Sequence, residues 1–181
     1  MSNGIAKIVD GNAVSWAPLH DGNRCVTFFG AQPVTDPLPE GYVRSDSLQA
    51  AWSAGQQKQF EVDAWWKTTL IEGYVVTSIG VEIGWSEVDR QVVSQGIALL
   101  NESLTLGLIA PTDLIPGWVD RHGEPIVVEG ADPTAAQLKL LAIEMGHAYQ
   151  SQRGLWLAYR AAIAAGNVSF VVGEPLPDEG A

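Results

Sequence analysis

Apolar positions recur along this chain first in short, broken runs and then at helical spacing, and the change of rhythm divides it. Up to about Arg44 the apolar runs are brief and separated by Gly, Asn, Asp and Pro, which predicts small strands. Residues 5–9, an Asp10-Gly11-Asn12 turn and residues 13–16 read as a hairpin, because Asp-Gly accommodates the positive φ of a tight turn. Residues 25–29, Cys-Val-Thr-Phe-Phe, read as a third strand on their β-branched and aromatic content. Pro33, Pro37 and Pro39 then punctuate an extended connection, since each lacks an amide hydrogen and disfavours helix in the residue before it. A module boundary is placed there.

Helical spacing takes over from Leu48. Ser47 or Asp46 can cap a helix carrying Leu48, Trp52, Val62, Trp66 and Leu70 on one side, with Gly55 and the polar residues 56–59 leaving open one interrupted helix or two short ones, and Gly73 ending it. Residues 74–85 are β-branched with Gly80 and Gly84 at bends, a strand or short hairpin. Ser86 with Asp89 three positions on resembles a capping box. It opens a helix with Val88, Val92, Ile97, Leu100 and Leu104 as its apolar stripe and Gly107 as its stop. Residues 116–129 form two short runs around His122-Gly123, a second hairpin anchored by Trp118.

The last helix is predicted to start at Asp132-Pro133 and to end at Gly166-Asn167, with Leu138, Leu141, Met145, Ala148, Gln152, Leu155, Tyr159 and Ile163 recurring every three or four residues. Gly146 and Gly154 leave open a kink or the close approach of another helix. Residues 168–172 read as a final strand, and Pro-Leu-Pro-Asp-Glu-Gly-Ala as a polar, mobile tail. The fold class that emerges is α+β. A small N-terminal β module, residues 1–45, precedes an α+β domain, residues 46–181, in which β-hairpins pack with two or three helices, the last one long.

Composition supports a packed chain: 46% hydrophobic and 17% charged residues lie far from the disordered regime. The net charge of −11 and pI near 4.5, with no run of basic residues, exclude nucleic acid and anionic membrane as expected partners, because phosphate contacts need clustered Lys and Arg. Cys25 is the only cysteine, so neither an internal disulfide nor a thiolate metal cage is expected. The N-terminal residues lack a secretory apolar core and no stretch approaches a membrane span, so the expected location is the cytoplasm of the producing cell. The sequons at Asn101 and Asn167 are read as chance.

Three constellations carry residue types suited to chemistry. Glu144 and His147 form one Glu-x-x-His pair where a di-iron bundle needs two, together with two further glutamates. His122 and Glu124 sit in a turn without a third zinc ligand. His20 and Asp21 precede Cys25, but a lone cysteine in an apolar run reads better as a small buried hydrophobe than as a nucleophile. A nucleophile elbow, a phosphate loop and a dinucleotide fingerprint are all missing. The expectation is a non-enzymatic chain with no catalytic, cofactor-binding or metal residue and no cofactor. Its seven tryptophans divide between core packing and contact, and Trp118, Trp156, Tyr149 and Trp85 are the candidate partner-contact residues.

The C-terminal two thirds carry a Trp-rich helix ending Leu-Ile-Glu-Gly-Tyr, the run Ile-Gly-Val-Glu-Ile, a capped helix from Ser86, the Trp-Val-Asp-Arg-His-Gly-Glu-Pro-Ile hairpin and a long helix beginning Asp-Pro-Thr-Ala-Ala-Gln-Leu. Over about residues 60 to 165 this resembles a domain-of-unknown-function family of tailed-phage proteins associated with tail fibres. The N-terminal Phe-Phe-Gly and Leu-Pro-Glu-Gly-Tyr segments look, more loosely, like the start of tail-fibre assembly chaperones. The resemblance implies a bacteriophage tail accessory protein, either a structural component of the tail fibre or tail tip or a chaperone for fibre assembly. Its partner would be a tail-fibre, baseplate or tail-tip protein, with a homo-oligomer as a further option, and its location the host cytoplasm during assembly or the virion tail. The alternatives are a small phage or bacterial hydrolase and a host-directed protein inhibitor.

Overall fold

A computed structural model describes residues 3–20, 23–30 and 32–177. The fold is α+β, and the chain divides into two compact units, Met1–Val62 with Arg160–Val172, and Asp63–Tyr159 with Gly173–Ala181.

The first unit is built on a three-stranded antiparallel sheet. Strands β1 (Gly4–Val9) and β2 (Asn12–Pro18) form the expected hairpin, with Asp10 and Gly11 both at positive φ. Strand β3 (Tyr42–Ser45), which the sequence reading missed among its prolines, pairs with the other side of β1. The Trp16 indole lies across the bare backbone of Gly4, where any Cβ would collide with the ring, and donates its N–H to the Ser45 carbonyl at 3.0 Å. One side chain thereby ties β2 to β3 over the central strand.

Residues 26–29 are not the predicted strand but a single helical turn, α1 (Val26–Phe29). Successive strand residues face opposite sides. In the turn, by contrast, the Phe28 and Phe29 rings both reach Tyr42, with centroids 5.4 and 4.9 Å away. Cys25, fully buried with Ile5 and Ala17, directs its thiol toward the Ala17 carbonyl.

The first helix signal also shifts. Ser47 Oγ caps only a 3₁₀ turn, Gln49–Ala51, and Trp52 then takes an extended conformation. Helix α2 (Ala54–Glu72) begins instead at a capping box in which Ser53 Oγ accepts from the Gln56 amide and Gln56 Oε1 from the Ser53 amide. The same Gln56 amide accepts from Ala13 N and donates to Ala13 O, both at 2.9 Å, so it covers a stretch of β2 edge as a partner strand would. The predicted strand at 168–172 is irregular chain. Phe170 is buried there, and its carbonyl takes the Lys58 ammonium at 3.3 Å where a strand partner would be needed.

In the second unit, β4 (Tyr74–Val76) and β5 (Glu82–Gly84) make the predicted hairpin, closed by Thr77 Oγ1 donating to the Val81 carbonyl. Helix α3 (Glu87–Thr105) has the Ser86–Asp89 capping box. It ends with Gly107 at positive φ and the paired Gly107–Leu104 and Leu108–Ser103 bonds of a Schellman cap. The predicted hairpin at 116–129 is reduced to two isolated bridges, Val119–Pro125 and Val128–Ala131, because Pro116 and Pro125 bring no amide to a ladder.

Helix α4 (Ala135–Ala164) runs 30 residues and starts later than predicted. Its cap is Thr134, whose hydroxyl accepts from the Gln137 amide while Gln137 Oε1 accepts from Thr134 N. The predicted stripe holds: Leu138, Leu141 and Met145 are buried in one core with Val81, Ile83, Trp85, Leu100 and Ile126, and Tyr159 is fully buried further on. The Schellman bonds Gly166–Ile163 and Asn167–Ala162 close the helix where the sequence signalled a stop. The last tail positions, 178–181, lie outside the described residues, while the Glu174 carbonyl accepts from the Tyr159 hydroxyl.

A Cβ at Gly146 or Gly154 would meet nothing within 4 Å, so neither glycine serves a close approach. Each only lowers helix propensity. Replacing either by alanine is expected to raise stability by about 0.5–1 kcal/mol in urea unfolding, and the pair to add.

Candidate functional site

Helix α3 carries two apolar faces. Val93, Ile97, Leu100 and Leu104 pack onto the core of the second unit, whereas Val88 and Val92 of the predicted stripe, together with Leu99, are 68%, 60% and 67% exposed. The predicted stripe therefore began on the open face and ended on the buried one.

Beside the open face lies an apolar cavity of about 560 Å³. Its α3 wall is Val92, Gly96, Leu99 and Ser103, spaced by three or four residues and hence one above another. The opposite wall is formed by Ile109, Ile115 and the 117–121 loop, and Ile83 and Gly84 close one end. Two carboxylates, Asp89 and Asp120, also line it.

Trp118 positions that loop. Its indole sits against the backbone of Gly96 in the middle of α3, where a methyl group would stand 2.7 Å from Trp118 Cζ2. A mid-helix glycine is unfavourable by about 1 kcal/mol, and here it is what lets the ring seat. The loop's main chain is held as well. Asp120 Oδ1 accepts from the His122 and Glu124 amides at 2.7 and 3.0 Å, and the Arg121 amide donates to the Glu82 carbonyl at 3.0 Å. The Arg121 guanidinium lies 3.8 Å from the Tyr74 ring centroid.

The four aromatic residues singled out from the sequence fall in two places. Trp118 packs half-buried against the core and lines the cavity. Trp85 belongs to the core at 6% exposure, seated on Gly73, with its indole N–H donated to the Thr69 carbonyl at the end of α2 at 2.8 Å. Its own carbonyl accepts from Arg90 Nε at 3.1 Å, and the Arg90 guanidinium stands 4.2 Å from the Tyr149 ring centroid. Tyr149 adjoins Trp66, which stacks on Trp156 at 5.3 Å and 15°, and Trp65 bridges from Trp66 to Tyr159. Tyr149 and Trp156 thus belong to one half-buried aromatic series along α4, and Arg90 links that series to Trp85. Burial raises the Tyr159 phenol above its ordinary pKa.

The polar candidates do not converge. Hydrogen bonds from the Ser78 side chain and, at 2.8 Å, from the Ser78 amide lower the Glu144 pKa, while His147 is exposed. His122 meets Glu82 at 3.2 Å, not Glu124. Cys25 is buried, His20 is exposed, and Asp21 lies outside the described residues. Among the described residues no three His, Cys, Asp or Glu side chains gather as a metal site, and no helix is long and apolar enough to cross a membrane. Compared with protein-family models, curated proteins and solved structures, the chain matches none.

The cavity was hidden in the sequence because its second wall is irregular chain. The signal that could have found it is the second apolar set on α3, Val88, Val92 and Leu99, offset by one position from the core set.

Gly96→Ala is expected to destabilise by about 1–3 kcal/mol despite its better helix propensity, since the methyl displaces a packed ring. In a Trp118→Leu background the same change should become neutral or favourable, which a denaturation double-mutant cycle reads directly. Glu144 has a folded-state pKa below its unfolded value, so its contribution is present above the ordinary carboxylate range and lost as pH falls through the lowered value. Glu144→Gln should accordingly be less stable than the parent near neutrality, with the difference closing on acidification in a series of thermal melts.

Proposed function

We propose that this chain works by contacting another protein through the groove beside α3, as an accessory protein of a bacteriophage tail. The observation that carries the contact reading is the exposure of Val92 and Leu99 along an apolar cavity of about 560 Å³, while the neighbouring face of the same helix packs on the core. Exposed apolar surface organised into a concavity is what distinguishes a contact site from scattered surface hydrophobes. The rigid seating of Trp118 on Gly96 supports it, because a preformed wall loses little entropy when a partner docks. A chain of net charge −11 repels phosphate backbones and anionic membranes, which favours a protein as the partner.

The tail setting rests on the resemblance carried by residues 60 to 165. In that setting the partner is a tail-fibre, baseplate or tail-tip protein. The chain is then either a part of the fibre or tip, or a chaperone engaged in the host cytoplasm during fibre assembly.

The test is co-expression of the chain with tail-fibre, baseplate and tail-tip proteins of the genome that encodes it. One of them should co-purify as a stable complex through size exclusion, and Val92→Gln with Leu99→Gln should weaken that complex at least ~tenfold, about 1.4 kcal/mol, at unchanged melting temperature. No complex with any of them would contradict the tail reading, and a complex indifferent to the two substitutions would contradict the groove. Mass spectrometry of purified virions then separates a resident part, present in particles, from a released chaperone.

A further inference from the structure

The groove's walls also indicate what kind of segment fits it, an inference that rests on the contact reading above. We infer that it takes an amphipathic helix of another protein, with Lys or Arg flanking its apolar stripe.

Several main-chain groups around the cavity are already engaged. Arg121 N donates to Glu82 O at 3.0 Å, Asp120 N to Glu124 O at 2.8 Å, Ile126 N to Trp118 O at 2.9 Å and Ile115 N to Pro133 O at 2.9 Å. An extended segment needs a continuous row of donors and acceptors for its backbone, and the bonded amides at 115, 120 and 121 together with Pro116 interrupt such a row, so that part of its own backbone would be stranded at a cost. A helix satisfies its own backbone and asks only for apolar contact. The α3 wall from Asp89 to Ser103 is helical throughout, roughly 20 Å at 1.5 Å per residue, and its three- and four-residue spacing is the ridge against which a second helix packs.

Charge selects the flank. Asp89 and Asp120 line the cavity, and Glu87 and Glu102 are exposed on α3. The cation in the lining, Arg121, is drawn onto Tyr74 and stands 3.7 Å from Glu82. Two carboxylates lining an apolar floor, with further acidic residues exposed on the same helix, complement an apolar stripe bordered by basic residues. A second copy of this chain, with a net charge of −11, would instead bring the same carboxylates toward themselves, which opposes self-docking.

The test uses the full chain and three labelled synthetic peptides of about five helical turns, ~18 residues. One has a Leu stripe flanked by Lys, the second the same stripe flanked by Glu, and the third the Lys version interrupted by proline. Fluorescence anisotropy should show the Lys peptide binding at least ~tenfold more tightly than either of the others. Val92→Gln with Leu99→Gln, both at exposed positions, should weaken it at least ~tenfold. Equal binding of the proline-interrupted peptide would overturn the helix. Binding of the Lys peptide that ignores the two substitutions would reduce it to general attraction to an acidic chain and overturn the site. A dimer in sedimentation that the substitutions dissolve would assign the groove to a second copy and overturn the proposed occupant. If the complex with a tail protein responds to the substitutions while the Lys peptide does not, the helix inference fails and the contact reading stands. If neither responds, both fail.

Discussion

Large indole rings seated on bare glycine backbone are the constraint on which both units depend. Trp16 lies over Gly4 and bonds to Ser45, Trp85 lies over Gly73 and bonds to Thr69, and Trp118 lies over Gly96. In each case a ring that buries much apolar surface can approach only because the residue beneath has no side chain. The consequences differ by place. Trp16 binds the two outer strands of a small sheet, Trp85 fastens a hairpin to the end of α2 by taking a carbonyl there, and Trp118 fixes a strand-poor loop against α3. The last of these works together with the main-chain bonds of Ile115, Asp120 and Arg121 to hold the 109–121 segment as a wall.

That wall gives α3 its double character. A helix at the edge of a core ordinarily turns one apolar stripe inward and a polar face outward. Here Val88, Val92 and Leu99 add a second apolar stripe, and the loop held by Trp118 converts it from a flat surface into a concavity. The acidic balance of the chain suits such a surface. A net charge of −11 sets copies of the chain against one another and attracts basic surfaces, which is compatible with an exposed apolar face.

Local grammar in the sequence was informative wherever a single side chain or turn decides the backbone. The Asp10-Gly11 hairpin, the Ser86–Asp89 box, the glycine stops at 107 and 166 and the α4 stripe all follow from residues within one turn of the feature. Errors arose where distant partners decide. Residues 26–29 became a helical turn because two adjacent phenylalanines share Tyr42, residues 168–172 lost strand pairing to Lys58, and α2 starts at Ser53 because Gln56 serves both its cap and the edge of β2. The aromatic candidates were named one by one, yet their roles depend on what lies under or beside each ring. Trp118 borders the groove, Trp85 is core, and Tyr149 and Trp156 belong to the series along α4. The groove itself needed Gly96 and Trp118 to be brought together across twenty-odd positions of chain, a pairing that no local pattern encodes.

Amide hydrogen exchange of the chain alone and with the tail protein proposed as its partner tests the central claim most directly. New protection should be centred on α3 between residues 88 and 103 and on the 115–121 loop, with the sheet of the first unit unchanged. Protection confined to that sheet or to the aromatic series along α4, with the α3 face exchanging as it does in the free chain, would contradict the account.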